Sequence, residues 1–257
     1  MGSVICPLAI VPVRAEPSDR AEMVSQWLFG ETGQEIERRA EWTRVRFDHD
    51  GYEGWVDNKQ IAGCANPNYD PDLRVIGHDT IVDLGTRQVL LPYGAVLPFY
   101  ADGTIQWQDR RIAVQAVSNH RPELVRAALL DLYLHPFLGA PYLWGGRTPW
   151  GVDCSGLVQL LFILMGIYLP RDASQQAVEG DTVELLDLSE PGDLAFFDNE
   201  EGRIVHVGVI LPRSNNGHIR IAHASGHVRV DTLDHQGIHH SEEQRYTHRL
   251  RVVKRIA

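Results

Sequence analysis

The chain has 257 residues, 44% hydrophobic and 23% charged, an ordinary globular composition that excludes wholesale disorder. A formal net charge of −10, with no lysine- or arginine-rich block, argues against nucleic acid or an anionic membrane surface as partner. The longest apolar stretch, Leu157 to Leu169, is shorter than the roughly 20 residues of a membrane span, and three cysteines are too few for a disulfide framework.

The apolar start, Val4 to Val13, lacks a basic segment and carries Pro7 and Pro12, so it reads as a first strand rather than a leader. A cytoplasmic protein is expected, with a periplasmic or secreted one as the alternative if a leader has been removed. Residues 1–65 alternate short β-type runs with turn signals. Trp42 to Phe47 is followed by Asp50-Gly51 and then by Tyr52-Glu53-Gly54-Trp55-Val56, a strong hairpin pattern. This stretch reads as a small all-β barrel. Cys6 and Cys64 bracket it, and unpaired thiols are expected there. Ala65 to Asp72, rich in proline, asparagine and aspartate, reads as a linker. Residues 73–118 form a second β pattern around Val89 to Tyr100, the Asp102-Gly103 turn and Arg111 to Val117.

The character changes at Asn119, where the third segment, residues 119–257, begins. Arg121 to Tyr133 reads as a helix with Pro122 in its first turn. A glycine-rich turn, Trp144 to Gly151, then leads into Asp153-Cys154-Ser155-Gly156 and the apolar run Leu157 to Met165. Strands are expected at Leu194–Phe197, Val205–Leu211, Ile219–Ala224, Val228–Asp231 and Tyr246–Ile256. Helices first and an antiparallel sheet afterwards make an α+β order.

Cys154 stands where a polar turn becomes a buried helix. Unpaired N–H groups and the positive helix end there stabilise a thiolate, which is how a cysteine becomes a nucleophile. Such a nucleophile needs a base, and the base needs an orienting partner. Of 12 histidines, His206 and His223 stand out as polar residues inside apolar strands. If those strands are antiparallel neighbours, the two imidazoles share one face of the sheet. His227, His235, His239, His240 and His248 lie in polar, charged sequence without cysteine pairs or compact ligand spacing, and read as solvated loop histidines rather than a metal site.

Six segments occur in order: Pro141-Tyr142-Leu143-Trp144-Gly145-Gly146, Asp153 to Val158, Pro170 to Gln176, Pro191 to Leu194, His206-Val207-Gly208 and Ala222-His223-Ala224. Together they resemble the NlpC-type papain-like cysteine peptidases over residues 120 to 257. Residues 17–26 and the turn at Asp50 resemble the bacterial SH3-like domains that often precede that catalytic domain. The resemblance is nearest to the γ-D-glutamyl-L-diamino-acid endopeptidases (dipeptidyl-peptidase VI type). It implies an α+β papain-like catalytic domain, helices on an antiparallel sheet, behind two small SH3-like barrels.

The same resemblance implies Cys154 as nucleophile, His206 as general base and His223 as its orienter, with no cofactor and no metal. The substrate implied is a muropeptide, L-Ala-γ-D-Glu-diamino acid, with a free L-Ala amine. Asp153 and Ser155 match positions that hold this amine, and Tyr142 and Trp144 match pocket walls. Tyr52 and Glu22 are the candidates from the first β module, and Asp172 and Ser174 those for the D-glutamate carboxylate region. A helix N-cap is the bland reading of Asp172 and Ser174. Rival functions are an idle wall- or peptide-binding protein, and a papain-like acyl transferase or broader wall hydrolase.

Overall fold

Alternating burial organises the N-terminal strands: in Ile10–Arg14 and Trp42–Phe47 every second side chain faces inward. The computed structural model describes residues 2–65, 71–77, 79–115 and 126–256. The chain divides into two compact units, residues 1–120 and 121–257. The middle of the expected linker, the change of character at Asn119 and the start of the expected helix at Arg121 lie outside the described residues.

In the first unit seven strands form an antiparallel sheet: β1 (Ser3–Ile5), β2 (Ile10–Arg14), β3 (Met23–Leu28), β4 (Thr32–Arg38), β5 (Trp42–Phe47), β6 (Glu53–Asp57) and β7 (Ala62–Gly63). Their order is β3-β2-β6-β5-β4-β1-β7, and Val11, Val13, Trp27, Val45 and Val56 fill the interior. The Asp50-Gly51 turn joins β5 to β6, with the Tyr52 N–H donating to Asp50 Oδ1 at 2.9 Å. The second β stretch supplies two hairpins, β8 (Ile81–Asp83) with β9 (Gln88–Leu90) and β10 (Thr104–Trp107) with β11 (Arg110–Ala113). The two β modules share a core, because Ile5 and Phe29 pack among Val75, Leu91, Leu97 and Ile105. A buried Arg74–Glu31 ion pair at 2.9 Å also joins them. Cys6 and Cys64 are not joined by a disulfide.

The second unit carries α1 (Arg126–Leu134), a short β12 (Arg147–Thr148) and β13 (Gly151–Val152) hairpin, α2 (Cys154–Ile163) and α3 (Ala173–Gln176). Seven strands follow: β14 (Asp181–Thr182), β15 (Leu194–Asp198), β16 (Ile204–Leu211), β17 (Ile219–Ser225), β18 (His227–Leu233), β19 (Gly237–His240) and β20 (Arg245–Arg255). They run β14-β20-β15-β16-β17-β18-β19, and β19 pairs back onto β20. That last pairing closes six antiparallel strands into a barrel, which leaves no open edge among them. Phe197, Ile210, Ile221, Leu233, Ile238 and Val253 pack together in its core.

All ten residues of α2 are buried, and the helix packs against β16 and β17. The α+β papain-like reading of the catalytic domain therefore holds. The five expected strands appear within two residues of their predicted limits, the largest difference being the end of β18 at Leu233. The short strands β12, β13 and β14 were not foreseen, nor was β19, which lies in the histidine-rich stretch read as loop.

Candidate active site

Asp153 starts the site by ending a loop. Its backbone is extended, and its Oδ1 accepts the N–H of Gly156 at 2.7 Å, capping α2 so that Cys154 is the first helical residue. Gly156 is required by space: a Cβ there would lie 2.2 Å from the Gly146 carbonyl oxygen. The missing side chain thus lets the first turn of α2 sit directly on the glycine-rich turn.

The Asp153 carboxylate does more than cap. Oδ2 accepts from the Gly145 N–H at 2.8 Å and from Arg171 Nη2 at 2.6 Å. Oδ1 also accepts from Arg171 Nη1 at 3.1 Å and from the Ser155 hydroxyl at 3.3 Å. Arg171 Nη1 in turn donates to Ser155 Oγ at 2.9 Å. Both partners of the Asp153–Arg171 pair are buried, at 5% and 2% exposure. Asp153, the residue expected to anchor an incoming amine, gives its oxygens to these donors here, and Arg171 balances its charge. In the structure, Asp153 and Ser155 fix the turn that carries Cys154. Buried Gln176 fastens the same turn from α3, donating to the carbonyls of Ser155 at 3.1 Å and Pro170 at 2.8 Å.

Cys154 is buried, and burial pushes its thiol up to about 11, with the negative charge of Asp153 adding to the rise. The backbone N–H groups of Val207 and Ser155 pull the other way. The helix-end stabilisation read from sequence is therefore present but outweighed, and the resting sulfur is a neutral thiol. Its hydrogen bond to the backbone of Val207 sets it beside His206 on β16.

The antiparallel neighbours expected for the two histidines are β16 and β17, with Val209 opposite Ala222. His206 Nε2 and His223 Nδ1 are 2.9 Å apart, both residues buried. Gly208 permits this diagonal reach, because a Cβ there would lie 2.7 Å from Ile221 Cδ1 and 2.9 Å from the Ala222 carbonyl oxygen. On the far side, His223 Nε2 lies 3.0 Å from Asp231 Oδ2, which also accepts Arg229 Nε at 2.8 Å. Burial holds both imidazoles neutral. For His206 the repulsion of His248, His223 and Arg229 adds to it, while for His223 the Asp231 hydrogen bond partly offsets it. Burial alone would raise Asp231, but the bonds from His223 and Arg229 bring it down to about 2.

Three of these residues escaped the sequence reading. Asp231 and Arg229 stand two apart on β18, so they share the strand face that meets His223; an Arg-x-Asp inside a β run was the available signal. His248 was read with the solvated loop histidines although it falls within the expected Tyr246–Ile256 strand; on β20 it stacks on His206 with centroids 4.1 Å apart and planes 21° from parallel. Burial lowers His248 to about 4. His227, His239 and His240 also lie on strands rather than in loops.

Nitrogens of His206, His223 and His248 fall within 4.8 Å of one another, close enough to raise a metal site. A ligated ion must lie in the plane of each imidazole, along its lone pair. Two rings stacked face to face cannot aim at one ion, so the cluster suits proton handling instead.

The remaining predicted residues divide by unit. Tyr142 is half-buried near Cys154, and burial followed by the charges of Cys154 and Asp153 pushes its phenol up to about 12. Trp144 is 59% exposed on the approach to the nucleophile turn. Asp172 is the N-cap of α3 in a capping box with Gln175, the bland reading, and Ser174 is exposed in the turn that follows. In the first unit, Tyr52 packs partly buried against the β-sheet core, and Glu22 is exposed just before β3.

Known proteins match this arrangement. The NlpC/P60 family model matches residues 139–249, and the bacterial dipeptidyl-peptidase SH3 domain matches residues 13–61. The γ-D-glutamyl-L-lysine dipeptidyl-peptidase of Bacillus subtilis is 30% identical over 210 residues, 73% of this chain and 69% of its own length. Dipeptidyl-peptidase 6 of Lysinibacillus sphaericus is 30% identical over 259 residues, 86% of this chain and 88% of its own. The crystal structure of an NlpC/P60 family protein from Bacillus cereus superposes with a TM-score of 0.76 over 99% of both chains, at 17% identity, a likeness of fold. With a nucleophile turn, a histidine pair and relatives aligned over most of their length, the chain belongs to the NlpC/P60 family and is a peptidase of that family, carrying a bacterial dipeptidyl-peptidase SH3 domain ahead of its catalytic domain.

Proposed function

We propose that the protein is a cysteine peptidase that hydrolyses the γ-D-Glu–diamino acid bond of peptidoglycan stem peptides with a free N-terminal L-Ala. The observation that carries the mechanism is the line of buried side chains from Cys154 at the start of α2 through His206 and His223. The specificity rests on the two relatives at 30% identity, one of them named for γ-D-glutamyl-L-lysine bonds.

A neutral thiol and a neutral imidazole set the order of events. The Cys154 proton passes to His206 as Sγ attacks the γ-carbonyl carbon, so no resting ion pair is needed. The backbone N–H of Cys154, first residue of α2, then steadies the tetrahedral oxyanion. His206 then gives its proton to the departing amine of the diamino acid, leaving a γ-glutamyl thioester on Cys154. Water attacks the thioester with His206 as base, and L-Ala-D-Glu leaves with the thiol restored.

L-Ala-γ-D-Glu-L-Lys, its meso-diaminopimelate analogue and an N-acetylated control test the proposal, with Cys154→Ala as blank. L-Ala-D-Glu should appear from the two free-amine peptides and neither from the blocked peptide nor from the blank. No release, or equal cleavage of the blocked peptide, overturns the specificity.

A further inference from the structure

We propose that Asp231 is a positioning residue that fixes the direction of the hydrogen bond between the two imidazoles, keeping the Nδ1 lone pair of His206 free for the Cys154 proton. The inference rests on the cysteine-peptidase reading of Cys154 and His206, and it adds a residue which that reading does not require.

The argument follows protons inward from the carboxylate. Asp231 is 6% exposed, and its Oδ2 faces two nitrogens, His223 Nε2 at 3.0 Å and Arg229 Nε at 2.8 Å. An ionised carboxylate only accepts, so the His223 nitrogen facing it carries the hydrogen. His223 is neutral, hence its Nδ1 is bare and can only accept. Among the described residues the donor that reaches it, 2.9 Å away, is His206 Nε2–H. His206 is neutral too, which leaves its Nδ1 bare. The hydrogen positions are assigned from this network, and each step has a single solution.

Without the carboxylate the His206–His223 bond is degenerate, since either ring can donate. In the reversed arrangement His223 Nδ1–H donates to His206 Nε2, and His206 carries its hydrogen on Nδ1. That tautomer has no lone pair for the thiol proton and is idle. Arg229 holds the carboxylate in place: it also donates to the Ser225 carbonyl, and it stands opposite His223 in the β17–β18 register. The orientation needs no change during the reaction. When His206 takes the thiol proton on Nδ1, its Nε2–H still points at His223.

Histidine labelled with 15N in the imidazole, observed by NMR in the Cys154→Ala protein, reads the tautomers without any turnover. His206 and His223 should both be Nε2–H with bare Nδ1. Adding Asp231→Leu should convert part of His206 to the Nδ1–H form. In otherwise native protein, Asp231→Leu should lower kcat on L-Ala-γ-D-Glu-L-Lys at least about tenfold, with KM within about twofold. Should Asp231→Leu not fold, Asp231→Asn replaces it, since its amide can present oxygen or NH2 to His223. The Nε2–H fraction of His206 and kcat should then fall together. Unchanged tautomers in the folded variant overturn the proposal, as does a fall in kcat with tautomers unchanged. If the native protein cleaves no such peptide, the cysteine-peptidase specificity fails, and the NMR arm still decides the role of Asp231.

Discussion

His206 and His248 lie face to face, with ring centroids 4.1 Å apart, although strand β15 runs between the strands that carry them. Both pairings of β15 shift register beside Phe197, whose ring is 5.8 Å from His206 and 5.9 Å from His248. His206, the proposed general base, is thus seated on a flat ring from a strand that is not its neighbour. A stacked pair contributes about 0.5–1.5 kcal/mol. His248→Ala should therefore lower kcat about two- to tenfold. His248→Phe keeps a flat ring and should stay close to native activity. Steady-state kinetics of the two variants makes the check, and equal losses would show that the nitrogen of His248 matters rather than its face.

Arg171 and Asp153 form a buried ion pair at 2.6 Å. Removing one partner of such a pair costs about 3–5 kcal/mol, because the other charge stays buried and uncompensated. Arg171→Ala should lose that much in urea unfolding. Arg171→Met combined with Asp153→Asn should recover part of the stability. A loss under about 1 kcal/mol for Arg171→Ala would show that the carboxylate has found other partners.

At Gly208 a methyl group would meet Ile221 and the Ala222 carbonyl oxygen at 2.7 and 2.9 Å. Gly208→Ala has to spread β16 from β17, and overpacking of this kind costs about 1–3 kcal/mol. Because the same spacing sets the His206–His223 bond, kcat should fall by more than about tenfold in protein that still folds. Circular dichroism melts beside peptide turnover separate the two effects.

The protonation of Cys154 has a kinetic signature. A thiol held near 11 exposes little thiolate at neutral pH, so alkylation by iodoacetamide should keep accelerating as pH rises through 7, 8 and 9. A plateau reached below neutral pH would mean a resting thiolate–imidazolium pair instead. Cys6, fully buried and pushed still higher by that burial, should stay unmodified in the folded protein.

Acid should weaken the fold through the same imidazoles. His206, His223 and His248 all bind protons less readily when folded than the ordinary value of 6.5, with His248 down at about 4. As pH falls below 6.5 the unfolded chain takes up protons that the folded one refuses, so stability drops, for His248 until the folded form also protonates near 4. Above 6.5 the three groups contribute nothing to the pH dependence. The limiting slope is about 1.4 kcal/mol per pH unit for each proton, and less for His248, which is partly open to water. Urea titrations between pH 7 and 4 measure the slope, and His248→Phe should make it shallower.

Local signals carried most of the sequence reading. The Asp-Gly hairpin at Asp50, the apolar run after Cys154 and the lone histidines inside apolar strands each declare themselves within a few residues. His248 was misread because Thr247 and Arg249 give it the look of surface sequence, and only the β19–β20 closure and the bulges at Phe197 bring it to His206. Asp153 was seen, but its partner was not. Arg171 reaches it from a loop beyond the whole of α2, and no periodicity connects them. The N-cap reading of Asp172, by contrast, is local, which is why it could be weighed from sequence at all.

Most helices on a protein surface have one side in water, and that side is where thermal loosening begins. The helix that presents Cys154 has no such side, since each of its ten residues is enclosed. Disturbing the nucleophile therefore means opening the interior of the domain itself. Displacement of Cys154 and loss of the fold should therefore come together on heating, rather than one after the other.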